Sequence, residues 1–141
     1  MLPERILGFD FGIKRIGVAV GNGITQSTQS LTTLTAKQGK PDWKQLESII
    51  REWHPEKMIV GVPQFDDNAH PTGQLALRFA RQLEGRYGIP VETIDEYLSS
   101  VEAVSRMKTD PAKISQKMSL DAEAAQIILQ TWLAEQMRQE L

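Results

Sequence analysis

Apolar and polar positions divide the chain into strand-length runs followed by helix-length stripes. Ile6-Leu7-Gly8-Phe9-Asp10 and Ile16-Gly17-Val18-Ala19-Val20 are two near-continuous apolar runs, joined by Phe11-Gly12-Ile13-Lys14-Arg15. They predict an antiparallel hairpin, with Gly12 at the turn position expected to need an unusual backbone angle. Residues 22–40 are rich in Gly, Thr, Ser and Gln around Leu31 and Leu34, which suits a third, edge-type strand.

From Asp42 the period changes. Asp42-Trp43-Lys44-Gln45 resembles a capping box, and Leu46, Ile49, Ile50 and Trp53 recur at helical spacing up to Pro55. Lys57-Met58-Ile59-Val60-Gly61-Val62-Pro63 is a continuous apolar run, as expected of a parallel strand buried on both faces. A polar loop, Gln64 to Gly73, precedes a helix with Leu75, Phe79, Leu83 and Tyr87 on one face, stopped by Gly88-Ile89-Pro90. Val91 to Glu96 gives another strand, Ser99-Ser100-Val101-Glu102 caps a short helix to about Met107, and Thr109 to Met118 is a loop. A last helix starts at Ser119, with Leu120, Ala124, Ile127, Ile128 and Thr131 as its stripe.

Antiparallel strands first, then alternating helices and strands, predict an α/β fold: a mixed sheet with helices on both faces. In such sheets, sites gather beyond the carboxyl ends of parallel strands. Asp10, the Gln64 to Gly73 loop and Asp95-Glu96 all fall at such ends.

Composition narrows the function classes. At 141 residues and 40% hydrophobic content, residues 1–141 are expected to form one domain with one site. The absence of cysteine excludes disulfides and thiolate metal ligands. No run of about 18 apolar residues and no apolar N-terminal region occurs, so a soluble cytoplasmic protein without a membrane partner is expected. The net charge of −2 gives no global attraction to polyanions. Local charge differs: Arg106, Lys108, Lys113 and Lys117 face only Asp110 in their stretch, and Lys14-Arg15 lie near Asp10. A solvated basic face would explain the same pattern.

Asp10 is the most informative position, because a carboxylate at the end of a buried strand needs a metal ion, an Arg or a ring of donors. Asp95 and Glu96 end a later strand and Asp121 opens the last helix, so three elements could gather carboxylates. Such a set suits magnesium, since hard divalent ions take oxygen ligands and can serve phosphodiester hydrolysis without a His, Cys or Ser nucleophile. Strand alternation turns Asp95 and Glu96 to opposite faces. The longer Glu96 is the favoured ligand, with Asp95 supporting it. Asp121 has an alternative explanation as a first-turn acid behind an N-cap at Ser119. The small Ala122, Ala124 and Ala125 around it would let that helix end approach the sheet. His54 and His70 are too few and too far apart for a zinc site.

Four blocks together resemble the bacterial YqgF/RuvX family. They are Asp10-Phe11-Gly12-Ile13-Lys14-Arg15-Ile16-Gly17-Val18-Ala19, Val60-Gly61-Val62-Pro63, Asp95-Glu96-Tyr97-Leu98-Ser99-Ser100 with Glu102-Ala103, and Asp121 with Ala124-Ala125 and Ile128-Leu129. The resemblance spans nearly the whole chain. It implies a ribonuclease H-like fold and a role in processing the 5′ end of precursor 16S ribosomal RNA or in resolving Holliday junctions. It also implies that Asp10, Glu96 and Asp121 are an acidic triad for Mg²⁺ or Mn²⁺. Tyr97 stands where the family usually has Arg, and Gln64-Phe65-Asp66-Asp67-Asn68 replaces its usual Leu-Asn-Met-Asp-Gly.

The resulting expectation is a two-metal endonuclease with Lys14, Arg15, Lys113 and Lys117 as phosphate contacts. Its partner is precursor ribosomal RNA, free or within ribosomal particles. The alternatives are a resolvase of four-way DNA junctions, which calls for a homodimer rather than a monomer, and a non-catalytic nucleic-acid-binding module. An actin-like phosphotransferase would need a second such domain.

Overall fold

A computed structural model describes residues 2–62, 71–95 and 117–140. The two N-terminal apolar runs form β1 (Ile6–Asp10) and β2 (Arg15–Asn22), paired antiparallel with Asp10 opposite Gly17. The polar stretch becomes β3 (Ser27–Lys37), antiparallel to β2, with a register shift between Val18 and Ala19. The short β4 (Lys40–Pro41) covers only the Ala36-Lys37 end of β3, which otherwise has the edge position expected of it. β5 (Lys57–Val62) runs parallel to β1, and β6 (Val91–Asp95) parallel to β5, giving the order β4-β3-β2-β1-β5-β6.

Helix α1 (Trp43–Trp53) begins where its cap predicts, with the Asp42 carboxylate accepting from the Lys44 and Gln45 amides at 3.1 and 3.4 Å. It ends just before Pro55, because His54 adopts a left-handed conformation (φ 46°) and donates its N–H to the Ile50 carbonyl. Helix α2 (Pro71–Tyr87) takes in Thr72 and Gly73, which the sequence pattern leaves in a loop. Proline is tolerated in a first helical turn, where its missing N–H has no partner to lose. At the other end Gly88 (φ 66°) donates to the Glu84 carbonyl at 2.9 Å and closes the helix.

Helix α3 (Lys117–Glu140) starts two residues before the expected Ser119, so Ser119 is helical and not the cap. The expected helix near residues 99–107, most of the loop before α3 and residues 64–70 lie outside the described residues.

The sheet separates two apolar layers. Leu7, Phe9, Ile16, Val18 and Val60 pack under α1 and α2 against Leu46, Ile50, Phe79 and Leu83. On the other face Ile6, Ala19 and Ile59 meet Ala125, Ile128, Leu129 and Trp132 of α3. The sheet-facing row of α3 therefore differs from the predicted stripe. Ile128 belongs to it, whereas Ala124 and Ile127 form a separate buried pair, and Leu120 and Thr131 are half-buried. Glycines set this rotation. A Cβ at Gly8 would stand 2.4 Å from the Leu129 Cγ, and one at Gly21 3.3 Å from its Cδ1, so the bare strands form the trough that Leu129 fills.

Candidate active site

Alternation along β1 sends Leu7 and Phe9 toward α1 and α2, while Ile6, Gly8 and Asp10 face α3. Asp10 follows four buried residues but is itself half-buried. The strand end opens to a cleft, so this carboxylate is less enclosed than the apolar run predicts. Its cross-strand partner Gly17 explains how α3 comes near. A Cβ at Gly17 would lie 1.9 Å from the Asp121 carbonyl oxygen and 3.0 Å from the Ala122 nitrogen. Only glycine lets the backbone of α3 rest on β2 there, one strand over from Asp10.

Arg15 lies two residues before Gly17 and so on the same face. Its Nε donates to Asp121 Oδ2 at 2.8 Å, with side-chain exposures of 36% and 26%. Asp121 is the fifth residue of α3, whose first turn holds no acid. Asp121 is therefore not the first-turn acid that the sequence pattern allowed, the dipole effect fades beyond that turn, and the Arg15 guanidinium is its positive neighbour.

Asp10, Phe11, Gly12, Ile13, Lys14, Arg15, Thr72 and Asp121 line one cleft of about 420 Å³. The turn that forms its floor is held by the Ala36 N–H donating to the Lys14 carbonyl (2.8 Å) and the Gly39 N–H to that of Ile13 (2.9 Å). Gly12 has no positive φ, contrary to expectation. Glycine is needed there for room, because a Cβ would meet the Arg15 carbonyl oxygen at 2.5 Å.

Four predicted site residues, Asp10, Lys14, Arg15 and Asp121, thus share the cleft. Lys117 opens α3, Asp95 closes β6 opposite Val62, and Glu96, Lys113 and Tyr97 lie outside the described residues. The even positions of β6 face α3: Glu92 accepts from the Trp132 indole at 3.4 Å, and Ile94 packs in the α3 core. Among the described residues no group of three His, Cys, Asp or Glu could hold a metal ion. The pair Asp10 and Asp121 offers hard oxygen donors on a partly open cleft, a donor set that fits Mg²⁺ or Mn²⁺. Sequence reasoning missed Thr72 and the structural part of Gly17. The signal for Gly17 was present in Gly17-Val18-Ala19-Val20-Gly21, whose alternate residues are all small.

The chain is similar to known proteins over most of its length. A family model described as "RuvX: Holliday junction resolvase" matches residues 4–135. A Nitrosococcus oceani protein named "Putative pre-16S rRNA nuclease" is 47% identical over 135 residues, covering 95% of this chain and 89% of its own. An Azotobacter vinelandii protein of the same name is 42% identical, covering 94% and 95%. Among solved structures, Thermus thermophilus RuvC in complex with a Holliday junction substrate has a TM-score of 0.57 at 16% identity, covering 94% of this chain and 95% of that one. The fowlpox virus Holliday junction resolvase has a TM-score of 0.56 at 17% identity, covering 93% and 99%. These likenesses establish the ribonuclease H-like fold of RuvC-type resolvases. The chain belongs to the RuvX family, whose chemistry is that of phosphodiester-cleaving endonucleases.

Proposed function

We propose that this protein is a metal-dependent endonuclease that processes the 5′ end of precursor 16S ribosomal RNA. The observation that carries the reading is the convergence of Asp10 and Asp121 on one cleft at the carboxyl end of β1, with Arg15 bonded to Asp121. The names of relatives that share 42–47% of its residues favour RNA as the polymer.

Asp10, Glu96 and Asp121 are the proposed catalytic and metal-holding acids, with Asp95 supporting Glu96. A bound pair of Mg²⁺ or Mn²⁺ ions supplies activation of water and stabilisation of the leaving 3′-oxygen. The chain's own residues bind and orient. Arg15 orients the Asp121 carboxylate through a charge-assisted bond, while Lys14 and Arg15 present positive charge to the scissile phosphate from the cleft wall. Lys113 and Lys117 are proposed to grip phosphates further along. The precursor is met free or within ribosomal particles in the cytoplasm. Among the described residues, no helix is long and apolar enough to cross a membrane.

A resolvase reading draws support from the fold shared with junction-bound RuvC. The two are separated by offering wild type and Asp10→Asn a precursor 16S 5′ leader and a four-way DNA junction, with Mg²⁺, Mn²⁺ or chelator. Metal-dependent cutting of the leader, abolished in Asp10→Asn, is expected. Cutting of the junction alone would select the resolvase. Binding of both without cutting would leave a nucleic-acid-binding module.

A further inference from the structure

A second charged recess lies beside the cleft, on the α1/α2 side of the molecule. Gln38, Gly39, Lys40, Trp43, Leu75, Arg78, Gln82 and Arg86 enclose about 280 Å³. Among the described residues, three cations and two amides line it, and no carboxylate does. Lys40, Arg78 and Arg86 are exposed, and none forms an ion pair with another described residue. The cations come from β4 and α2, so no charge cluster in the sequence announces them.

The recess continues the cleft. The Gly39 N–H is bonded to the Ile13 carbonyl at 2.9 Å, and Ile13 lines the cleft. A Cβ at Gly39 would stand 3.3 Å from Leu75 of the recess and 3.4 Å from the Phe11 ring of the cleft. Gly39 (φ 80°) thus lies between the two, with Lys14 lining the cleft and Lys40 the recess.

From this geometry we infer that the recess is a second nucleic-acid subsite, which holds the phosphate backbone of the RNA strand leaving the cleft. Two observations define the ligand. Arg78, Gln82 and Arg86 recur every fourth residue on α2, and a helical rise of about 1.5 Å per residue puts the two arginines about 12 Å apart along the axis. An extended polyanion can follow that row and meet both arginines, whereas a single small anion meets both only if their side chains converge on it. Trp43, the aromatic residue of the recess, has Arg86 over its ring at 3.9 Å and Phe79 stacked at 6.1 Å. Arg86 thus competes with any base for this ring, and the three cations suit a grip on backbone that does not read sequence. This inference rests on the nuclease reading and adds the path by which substrate leaves the cleft.

The test uses the full chain carrying Asp10→Asn, so that bound RNA is not cut, and compares it with the same chain carrying Lys40→Gln and Arg78→Gln. Arg86 is left in place because its stack on Trp43 contributes to packing. Affinity for the precursor leader is measured between about 50 and 200 mM salt. Affinity is expected to fall at least about tenfold, and the salt slope to shrink by about 1.4, on the basis of about 0.7 for each lost single-strand phosphate contact. Arg138→Gln, at the far end of α3 beside Glu135, is expected to change neither. In the cleaving protein the double variant raises KM and leaves kcat intact. Unchanged affinity and slope in a folded double variant would overturn the subsite while leaving the nuclease reading standing. Weakening toward a four-way DNA junction alone would overturn the assignment to RNA. Failure of the Asp10→Asn chain to bind the leader at all would overturn both.

Discussion

Arg15 has two partners to choose between, the Asp121 carboxylate it holds and the phosphate it would meet in the cleft. At 36% exposure the ion pair is screened by water and contributes at most about 1 kcal/mol to stability. Arg15→Gln is therefore expected to leave the unfolding midpoint in denaturant almost unchanged while raising KM for the leader, and a large loss of stability would show a structural role instead. The positive character of Lys14-Arg15 was legible in the sequence, but the partner of Arg15 was not, because 106 residues separate it from Asp121. Tyr87 gives a second residue-level test. Burial, and then the charge of Glu47, raise its phenol above the ordinary value of 10.0, against weaker lowering by Arg86 and Arg51. The folded chain thus favours the neutral phenol. The stabilisation is complete below the ordinary value and is lost as pH rises through the raised one. Tyr87→Phe should remove this alkaline loss, visible as a flatter thermal midpoint above about pH 10; an identical profile in both proteins would contradict the assignment.

Elements place these residues through close approach of backbones more than through side-chain reach. α3 rests on β2 at Gly17, and Leu129 fills the trough above Gly8 and Gly21. Gly17→Ala is expected to cost about 1–3 kcal/mol, the usual range for overpacking, and to reduce cleavage further by displacing Asp121 from Asp10. Gly8→Ala meets a side chain rather than backbone, so it is expected to lower stability with a smaller loss of activity. Denaturant unfolding beside single-turnover cleavage separates the two effects, and equal activity in both variants would count against positioning by Gly17. Strand existence was plain from the apolar runs, and β1 keeps its expected bounds. Helix rotation was not. The stripe Leu120, Ala124, Ile127, Ile128 and Thr131 follows apolar periodicity, whereas the observed row follows the shape of a glycine-lined sheet. The start of α3 at Lys117 was hidden for a related reason, since Lys117 and Met118 carry no capping signature.

At the scale of the molecule, three antiparallel steps followed by parallel crossovers bring the end of β1 and the first turns of α3 to the same place. The mixed sheet was legible from the order of the elements, Asp10 from its position at the end of β1, and Asp121 from the resemblance of the block around it. The recess of Lys40, Arg78 and Arg86 was not legible, because its charges are assembled only by folding. The central claim is that Asp10 and Asp121 act as one unit on the scissile phosphate. It is tested most directly by single-turnover cleavage of the precursor leader with saturating Mg²⁺, comparing wild type, Asp10→Asn, Asp121→Asn and the double variant. Residues that act as a unit are grossly non-additive, so each single change should abolish most of the rate and the double should be little worse than either. An Asp121→Asn protein that cuts within about twofold of wild type, or effects that simply multiply in the double variant, would contradict it.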